Sequence, residues 1–369
     1  MTAESDRQLP AGNEIFLDHV GYFAADLGVA GGQLERLGFQ VSPVNLQQNP
    51  DAGGVLRPSG TSNRLAMLRR GFIEVLAVTH DTPLAERVKE ALRRYAGLHL
   101  IALSHDDLAA QRARLVAAGF KMHDTVNLRR QTQTPDGPRE VSWSVLRPEA
   151  GALPEGRVQY VKCHTPDAVW PPALTRHPNK ADAVTDMLLC SNDRRASAER
   201  LGRYAARKPE HEGARSTLAL DRGRLVFVEP GEAAKFLPGF AAPDLPFMAG
   251  QAIRSADLAA TRDALARNGM KPVVDRGDLV CVGPSDALGG YLLFHAAKVD
   301  DPWGTLATAR RINAPASPAG ASAAPRRWRR PIFTGCDMPA TAEVLESQRL
   351  NRFPRSCFKT RRLVWLGSA

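Results

Sequence analysis

Four short apolar stretches decide the fold: LDHVGY (17–22), GFIEVLA (71–77), GLHLIAL (97–103) and GRVQYVK (156–162). The last two can be laid over the first two. In that overlay His19 falls on His99, and Glu74 falls on Gln159. A repeat that carries its polar residues at the same points predicts a duplicated structural unit. A duplicated unit in turn predicts a site at its pseudo-twofold axis.

Each half of this repeat has the pattern of one strand, one helix and three further strands. Apolar periodicity predicts for the first unit a strand at 15–23, a helix at 26–37 and strands at 39–46, 63–68 and 72–78, with a Gly/Pro/Asn-rich loop at 47–62. A helical link at 82–95 leads to a second unit with strands at 98–104, 122–128, 141–146 and 157–163 and a helix at 107–118. Both units are therefore predicted to be βαβββ modules.

The same pattern recurs twice more after a Pro-rich crossing segment, HTPDAVWPPALTRHPN. We expect an α+β protein of paired βαβββ modules that form curved mixed sheets, with a module pair at 13–170 and a second, degenerate pair at 180–298. In the second pair the places of the repeated polar residues fall near Asp186, Phe227, Gln251 and Leu293. Residues 302–369, rich in Ala, Pro, Ser and Arg, are predicted to be a disordered basic tail.

Composition limits the classes of function. The net charge of +10 is concentrated in residues 301–369, which hold 12 Lys and Arg against 4 Asp and Glu, a balance of +8. The nearly neutral remainder argues against a nucleic-acid-binding core. Five scattered cysteines without a CxxC pair, and no apolar run long enough to span a membrane, favour a reducing cytoplasm without membrane association.

The repeated polar residues suit a metal centre. A His in the first strand and a carboxylate in the last strand of a curved βαβββ sheet can project into one cavity, because side chains alternate between the two faces. Two paired modules would then bring together His19, Glu74, His99 and Gln159. Two imidazoles, a carboxylate and an amide oxygen are ligands for one divalent ion such as Ni, Fe, Mn, Co or Zn. For each residue alone, a buried histidine or a strand-edge acid is the simpler interpretation.

The stretches GTSNRLAML (60–68), GFIEVLAV, GLHLIAL and GRVQYVKCHTPDAVW (156–170) resemble the glyoxalase-like domain proteins of the vicinal oxygen chelate superfamily. The resemblance covers residues 13–180 well and 181–297 only faintly. It implies that the metal ligands come from the first and last strands, which here carry His19, Glu74, His99 and Gln159. It also implies a metal that chelates adjacent oxygens of a substrate, as in glyoxalase I and extradiol dioxygenases.

Three functions remain open from the sequence. The first is a glyoxalase-like, metal-dependent lyase or isomerase acting on a small 2-oxo or hemithioacetal substrate, with Glu74 as the proton-transfer base. The second is an Fe(II) extradiol-type ring-cleaving dioxygenase. Gln159 counts against it, because these dioxygenases usually have a carboxylate in that place. The third is a metal-free protein that binds or sequesters a small molecule. We expect a monomer or a homodimer.

Four further residues are candidate substrate contacts. Asn63 and Arg64 begin an inward-running strand, and an Arg fork matches a substrate carboxylate. His164 and Trp170 follow Gln159 in the crossing segment, where they could close the pocket or orient a ligand. A solvated strand start explains Asn63 and Arg64 equally well, and a packing anchor is the simpler interpretation of Trp170.

Overall fold

The computed structural model describes residues 7–50, 53, 55–134 and 137–311, which all lie within one compact unit. The strands are β1 Phe16–Phe23, β2 Asn45–Pro50, β3 Leu56–Met67, β4 Phe72–Val78, β5 Gly97–Ser104, β6 Val126–Thr134, β7 Gly137–Leu146, β8 Arg157–Cys163, β9 Ala181–Cys190, β10 Glu210–Glu212, β11 Arg215–Ala219, β12 Arg224–Val228, β13 Phe247–Ser255, β14 Val274–Arg276, β15 Leu279–Val282 and β16 Tyr291–Ala296. The helices are α1 Leu27–Arg36, α2 Pro83–Arg94, α3 Leu108–Ala117, α4 Pro166–Val169, α5 Arg194–Ala205, α6 Pro230–Phe236, α7 Leu258–Arg267 and α8 Pro302–Arg311, with a 3₁₀ turn at Pro172–Thr175.

The strands form two eight-stranded mixed sheets with the same plan. The first has the order β2-β3-β4-β1-β5-β8-β7-β6, and the second has the order β10-β11-β12-β9-β13-β16-β15-β14. In each, two βαβββ modules meet where their first strands, β1 with β5 and β9 with β13, pair antiparallel. The α+β architecture of two βαβββ pairs that the sequence predicts is therefore confirmed.

An aspartate marks the same place in all four modules. The module helices α1, α3, α5 and α7 each begin after an Asp whose carboxylate accepts a hydrogen bond from a backbone N–H of the first turn; these are Asp26, Asp107, Asp193 and Asp257. Such a cap satisfies a donor that the helix itself leaves unpaired. The four caps give a common register for comparing the modules.

The two sheets share one apolar core. It contains residues of all four module helices, such as Leu34, Leu115, Leu201 and Leu265, together with residues of both sheets. The Gln251 amide also donates a 2.8 Å hydrogen bond to the Tyr22 hydroxyl across the boundary. The segments 13–170 and 180–298, predicted as two module pairs, are therefore parts of one compact body whose sheets each turn one face toward the common core.

The other faces of the two sheets differ. In the first sheet the edge strands β2 and β6 lie in contact, so the curved sheet nearly closes around a space that both edges help to line. In the second sheet the corresponding face is covered by α6 and α8, and Phe236, Trp303 and Leu306 join its apolar cluster. The first sheet therefore holds a cavity where the second holds a packed apolar layer.

Several sequence predictions differ from the structure. The strands predicted at 39–46 and 122–128 begin only at Asn45 and Val126. Residues 47–62, predicted as a loop, lie largely in the β2–β3 hairpin, because polar strands can pair at a sheet edge without an apolar pattern. The predicted disordered tail begins with helix α8, in which Pro302 opens the first turn and Trp303 and Leu306 are fully buried. Residues 312–369 of that predicted tail lie outside the described residues. None of the described helices is both long and apolar enough to cross a membrane.

Candidate active site in the first sheet

The cavity of the first sheet has a volume of about 120 Å³, which suits a small molecule. Its walls come from both modules. Its polar lining residues are His19, Gln47, Gln48, Ser59, Thr61, Asn63, Glu74, Arg129, Arg130, Arg147, Arg157 and Gln159. Apolar side chains, among them Phe72, Leu100 and Trp143, form the remainder. A concave, mostly apolar space with a few converging polar groups is the usual form of a small-molecule site.

Glu74, on β4, is a buried carboxylate with one occupied oxygen. Its Oε1 accepts hydrogen bonds from Asn63 Nδ2 at 2.6 Å and Gln47 Nε2 at 3.1 Å. Its Oε2 has no hydrogen-bond partner in the described part of the chain and faces His19 Nε2 at 4.0 Å. The two amides therefore fix the carboxylate, while one oxygen remains available to a ligand.

His19, on β1, is held in one orientation. Its Nδ1 donates a 2.7 Å hydrogen bond to Asp18 Oδ1, and its ring stacks on Phe72 with a centroid distance of 4.1 Å. A carboxylate on Nδ1 directs Nε2, with its lone pair in the neutral ring, into the cavity toward Glu74. Asp18, His19 and Glu74 thus form a short chain of groups that can hold and pass a proton.

The second module supplies positive charge. Gln159, on β8, accepts at Oε1 from Arg147 Nε at 3.0 Å and from Arg157 Nε at 3.1 Å. Arg130, on β6, lies over the Trp143 ring with Cζ 5.7 Å from the centroid. Its Nη1 is buried without a hydrogen-bond partner within the described ranges. One half of the cavity is therefore acid and imidazole, and the other half is guanidinium.

Burial affects these arginines. Desolvation lowers the pKa of Arg130 and Arg157. The pKa of Arg147 lies well below its ordinary range, mainly because of desolvation and secondly because of the neighbouring positive charge of Arg157. The Glu74 carboxylate acts on all three in the opposite direction, because it stabilises their charged form. Guanidinium groups stay protonated in proteins even so, which makes this half of the cavity strongly cationic.

His99 does not line this cavity. Its Nε2 bonds the Tyr95 carbonyl oxygen at 2.8 Å, and its ring stacks between Tyr95 and Phe23 with centroid distances of 3.9 and 5.2 Å. It lies instead on a neighbouring cavity that also touches Arg147 and Arg157. Desolvation lowers the pKa of His99 to about 4. The structure thus separates His99 from the three other residues predicted as metal ligands.

The cause is a one-residue shift in the strand register. Gly21 pairs with Leu100 and Tyr22 with Leu98, so that His99 is an extra residue in β5 where the regular pairing is interrupted. Such a bulge breaks the alternation of faces. Counted back seven residues from the helix-capping aspartates, the partner of His19 in the second module is Leu100. The overlay of His19 on His99 is therefore wrong by one residue.

The last strands keep the predicted equivalence. Gly21 pairs with Glu74 in the first module, and Ala102 pairs with Gln159 in the second. Two residues earlier on the same strands, Phe72 corresponds to Arg157. The pseudo-twofold axis therefore relates groups of different chemistry, with an acid opposite an amide and a phenyl ring opposite a guanidinium.

The four side chains predicted as metal ligands do not form a site that would hold a divalent metal firmly. Among the described residues no group of three or more His, Cys, Asp and Glu side chains could hold a metal ion. His19 and Glu74 supply two donors, but the Gln159 oxygen is engaged by two guanidiniums, and the second-module position of His19 holds Leu100. Three nearby guanidinium charges further oppose a dication.

The predicted substrate contacts divide into one that lies in the cavity and three that do not. Asn63 lies in it and positions Glu74. Arg64 points to the other face of β3, where it donates to the Ser42 carbonyl oxygen and to Glu35 on α1. His164 is exposed and bonds Ser144 Oγ at 2.7 Å. Trp170 packs behind Phe72, with a centroid distance of 6.0 Å, and does not reach the cavity.

The residues that sequence reasoning missed are Arg130, Arg147 and Arg157. Arg157 carried a usable signal, because it lies two residues before Gln159 on one strand and therefore shares its face. Arg130 and Arg147 carried none. They reach the cavity only because β6 and β7 fold over it at the far edge of the sheet.

The strand order, the paired modules and the cavity between them define a vicinal oxygen chelate fold. A family model described as a glyoxalase-like domain matches residues 17–205, slightly more than half of the chain. The chain therefore belongs to the glyoxalase-like domain family of that superfamily.

Several solved structures are similar to this chain at low sequence identity, and the first of those that follow shares its fold. A hypothetical protein from Staphylococcus aureus is 11% identical with a TM-score of 0.55, covering 76% of this chain and 99% of its own. A variant of 4-hydroxymandelate synthase from Streptomyces coelicolor is 14% identical, with a TM-score of 0.47 and coverage of 81% and 98%. An Mn(II)-bound glyoxalase from Novosphingobium aromaticivorans is 12% identical, with a TM-score of 0.45 and coverage of 77% and 82%. No curated protein matches the chain significantly.

Proposed function

We propose that the cavity of the first sheet is the active site of a glyoxalase-like lyase or isomerase, with Glu74 as the proton-transfer base. The observation that carries the proposal is the arrangement of Glu74. One oxygen is fixed by two amides, and the other faces the cavity 4.0 Å from His19 Nε2. A buried, oriented carboxylate with one available oxygen suits removal of a proton next to a carbonyl group and its return to the neighbouring carbon.

His19 and Asp18 serve this reaction as positioning groups. The Asp18 carboxylate fixes the His19 ring, so that Nε2 can accept a hydrogen bond from a substrate hydroxyl or share a proton with Glu74. Phe72 and Trp143 exclude water on the apolar walls, which strengthens the polar interactions inside.

Membership of this superfamily makes a divalent metal plausible, but the donors of this chain supply no third ligand. The proton transfer therefore depends on Glu74 alone, and whether the protein holds a resident metal is a separate question. It is answered by elemental analysis of protein purified without chelator, beside a His19→Ala/His99→Ala double variant. One equivalent of Ni, Fe, Mn, Co or Zn that the variant loses would restore the metal-dependent form of the proposal.

The ring-cleaving dioxygenase is the weaker alternative. It requires a facial set of two imidazoles and one carboxylate, and His99 lies outside the cavity that holds His19 and Glu74. Oxygen consumption with catechols and added Fe(II) would favour it. A metal-free binding protein remains the other alternative, and it predicts ligand binding without turnover.

The test of the proposal is exchange of substrate hydrogen with deuterated solvent, followed by NMR on a set of 2-oxo acids, 2-oxo aldehydes and hemithioacetals. Glu74→Gln should slow the exchange by about 10²–10⁴-fold, because the amide cannot take a proton. The control is Glu35→Gln, an exposed carboxylate that pairs with Arg64 on the opposite face. Equal exchange by both variants would show that Glu74 is not the base.

The cellular setting of the proposal is the cytoplasm, with a small-molecule substrate and neither nucleic acid nor membrane as a partner of the core. Three cysteines among the described residues, Cys163, Cys190 and Cys281, are free and buried, which agrees with a reducing compartment. Analytical ultracentrifugation of the full chain would decide between monomer and homodimer.

A further inference from the structure

The cationic half of the cavity has more positive charge than the protein itself neutralises. Arg147 and Arg157 use only their Nε atoms, both toward Gln159 Oε1. Their terminal nitrogens make no hydrogen bond in the described part of the chain, and Arg130 Nη1 is buried without a partner there. No carboxylate of the described residues lies within 4.0 Å of these three guanidiniums.

Buried donors without a partner are costly in a folded protein. Two other half-buried arginines of this chain do pair with buried carboxylates, Arg224 with Asp186 and Arg200 with Glu155. The three cavity arginines lie instead on one side of a space whose other side offers a single carboxylate, Glu74. An oxyanion bound between them would supply the missing acceptors and offset part of the repulsion between Arg147 and Arg157.

We propose that this cavity binds a small oxyanion, a 2-oxo carboxylate, whose carboxylate group is held by Arg130, Arg147 and Arg157. The planar guanidinium fork matches a carboxylate with two parallel hydrogen bonds. The carbon next to the carbonyl group then lies on the side of Glu74, and the guanidiniums face the oxygen on which charge develops when the proton leaves.

This assignment rests on the proposed function only in calling the anion a substrate, since the anion site stands on the arginines alone. It also gives Gln159 a role. Its amide oxygen accepts hydrogen bonds from the Nε atoms of Arg147 and Arg157 and so aligns these two guanidiniums without neutralising their charge. A glutamate in that place would neutralise part of it.

The test is isothermal titration of the full chain in EDTA with pyruvate, oxalate, inorganic phosphate and oxamide. Oxamide has nearly the shape of oxalate and no charge. Pyruvate and oxalate should bind at least about tenfold more tightly than oxamide, because each charge-assisted hydrogen bond is worth a factor of ten or more. Oxamide binding as tightly as oxalate would overturn the proposal, and phosphate binding more tightly than either carboxylate would overturn the carboxylate assignment in favour of a phosphate.

Variants locate the site. Arg130→Gln, Arg147→Gln and Arg157→Gln should each weaken pyruvate binding about tenfold or more. Arg139→Gln, at an exposed position on β7, is the matched control. Circular dichroism and thermal unfolding verify the fold of each variant. The Gln159→Glu variant is an independent test, since a carboxylate at this position should compete with the ligand for the guanidiniums and weaken pyruvate binding. Unchanged affinity in all three arginine variants and in Gln159→Glu would overturn the proposal.

The same samples separate this proposal from the proposed function. Glu74→Gln should keep or improve pyruvate affinity, because it removes a negative charge that faces the anion, while it loses deuterium exchange. Wild-type protein that binds pyruvate but exchanges no 2-oxo acid would refute the proposed function and leave the anion site in place.

Discussion

The two sheets have equivalent strand orders, and their module helices begin after aspartates at equivalent positions. They differ on the face turned away from the common core, which borders a cavity in the first sheet and a packed apolar layer in the second. At the four positions seven residues before the caps stand His19, Leu100, Asp186 and Gly250. In the first sheet these positions border an open cavity. In the second sheet Asp186 pairs with Arg224, and a Cβ built on Gly250 would lie 3.1 Å from the Trp303 ring.

The last strands show the same contrast. Glu74 and Gln159 of the first sheet correspond to Val226 and Leu293 of the second, by the pairing of each with its first strand. From the sequence alone, two of the four positions in the second pair are placed one residue away, at Phe227 instead of Val226 in the last strand and at Gln251 instead of Gly250 in the first strand. The duplicated fold therefore supplies a place for a site, while a few side chains decide whether that place is a cavity or a core.

The largest expected effect tests the packed face of the second sheet. Trp303→Ala should lower the free energy of unfolding by about 3–5 kcal/mol, because a fully buried indole leaves a cavity. Trp143→Ala, at the half-buried wall of the first cavity, should cost less than about 2 kcal/mol. Urea unfolding followed by circular dichroism measures both. Equal losses would contradict the distinction between a core and a cavity.

The next effect tests His99 as a core histidine rather than a ligand. Its pKa is lowered from 6.5 to about 4 by burial, so the unfolded chain takes up a proton first as the pH falls. The stability that this neutral ring contributes is complete above about pH 6.5 and is lost toward pH 4. At pH 5 the loss from His99 should be about 2 kcal/mol.

His99→Gln removes this titration and keeps a donor for the Tyr95 carbonyl. The fall in unfolding free energy between pH 7.5 and pH 5 should therefore be about 2 kcal/mol smaller in the variant than in the wild type. The pKa values of His105, His177 and His295 are also lowered by burial, so part of the acid sensitivity should remain. An unchanged pH dependence would show that His99 titrates normally.

The smallest effect is expected at the predicted contacts that the structure places elsewhere. Arg64→Gln and His164→Gln should change pyruvate affinity less than about twofold, because neither side chain lines the cavity. The measurement is the same titration used for the cavity arginines. A tenfold loss in either variant would move the binding site toward β3 or the segment after β8.

The sequence was enough to predict the four βαβββ modules, because apolar alternation and helix caps are local signals. The sequence also pointed to Glu74, Gln159 and Asn63, which line the cavity and lie on regular parts of their strands. It failed at His99, because a bulge in β5 is invisible in the alternation that a sequence displays. It failed at Arg130 and Arg147, because their approach to Glu74 depends on how far the sheet curves, which is set by packing between distant strands.

If the two sheets differ as proposed, a small anion binds between Glu74 and the arginines of the first sheet, and not on the second. The most direct measurement is a crystal structure of the full chain grown with EDTA and pyruvate. We expect ligand density within hydrogen-bond distance of Arg130, Arg147 or Arg157, with the methyl carbon of pyruvate toward Glu74. Ligand bound only against the second sheet, or an empty first cavity at saturating pyruvate, would contradict it.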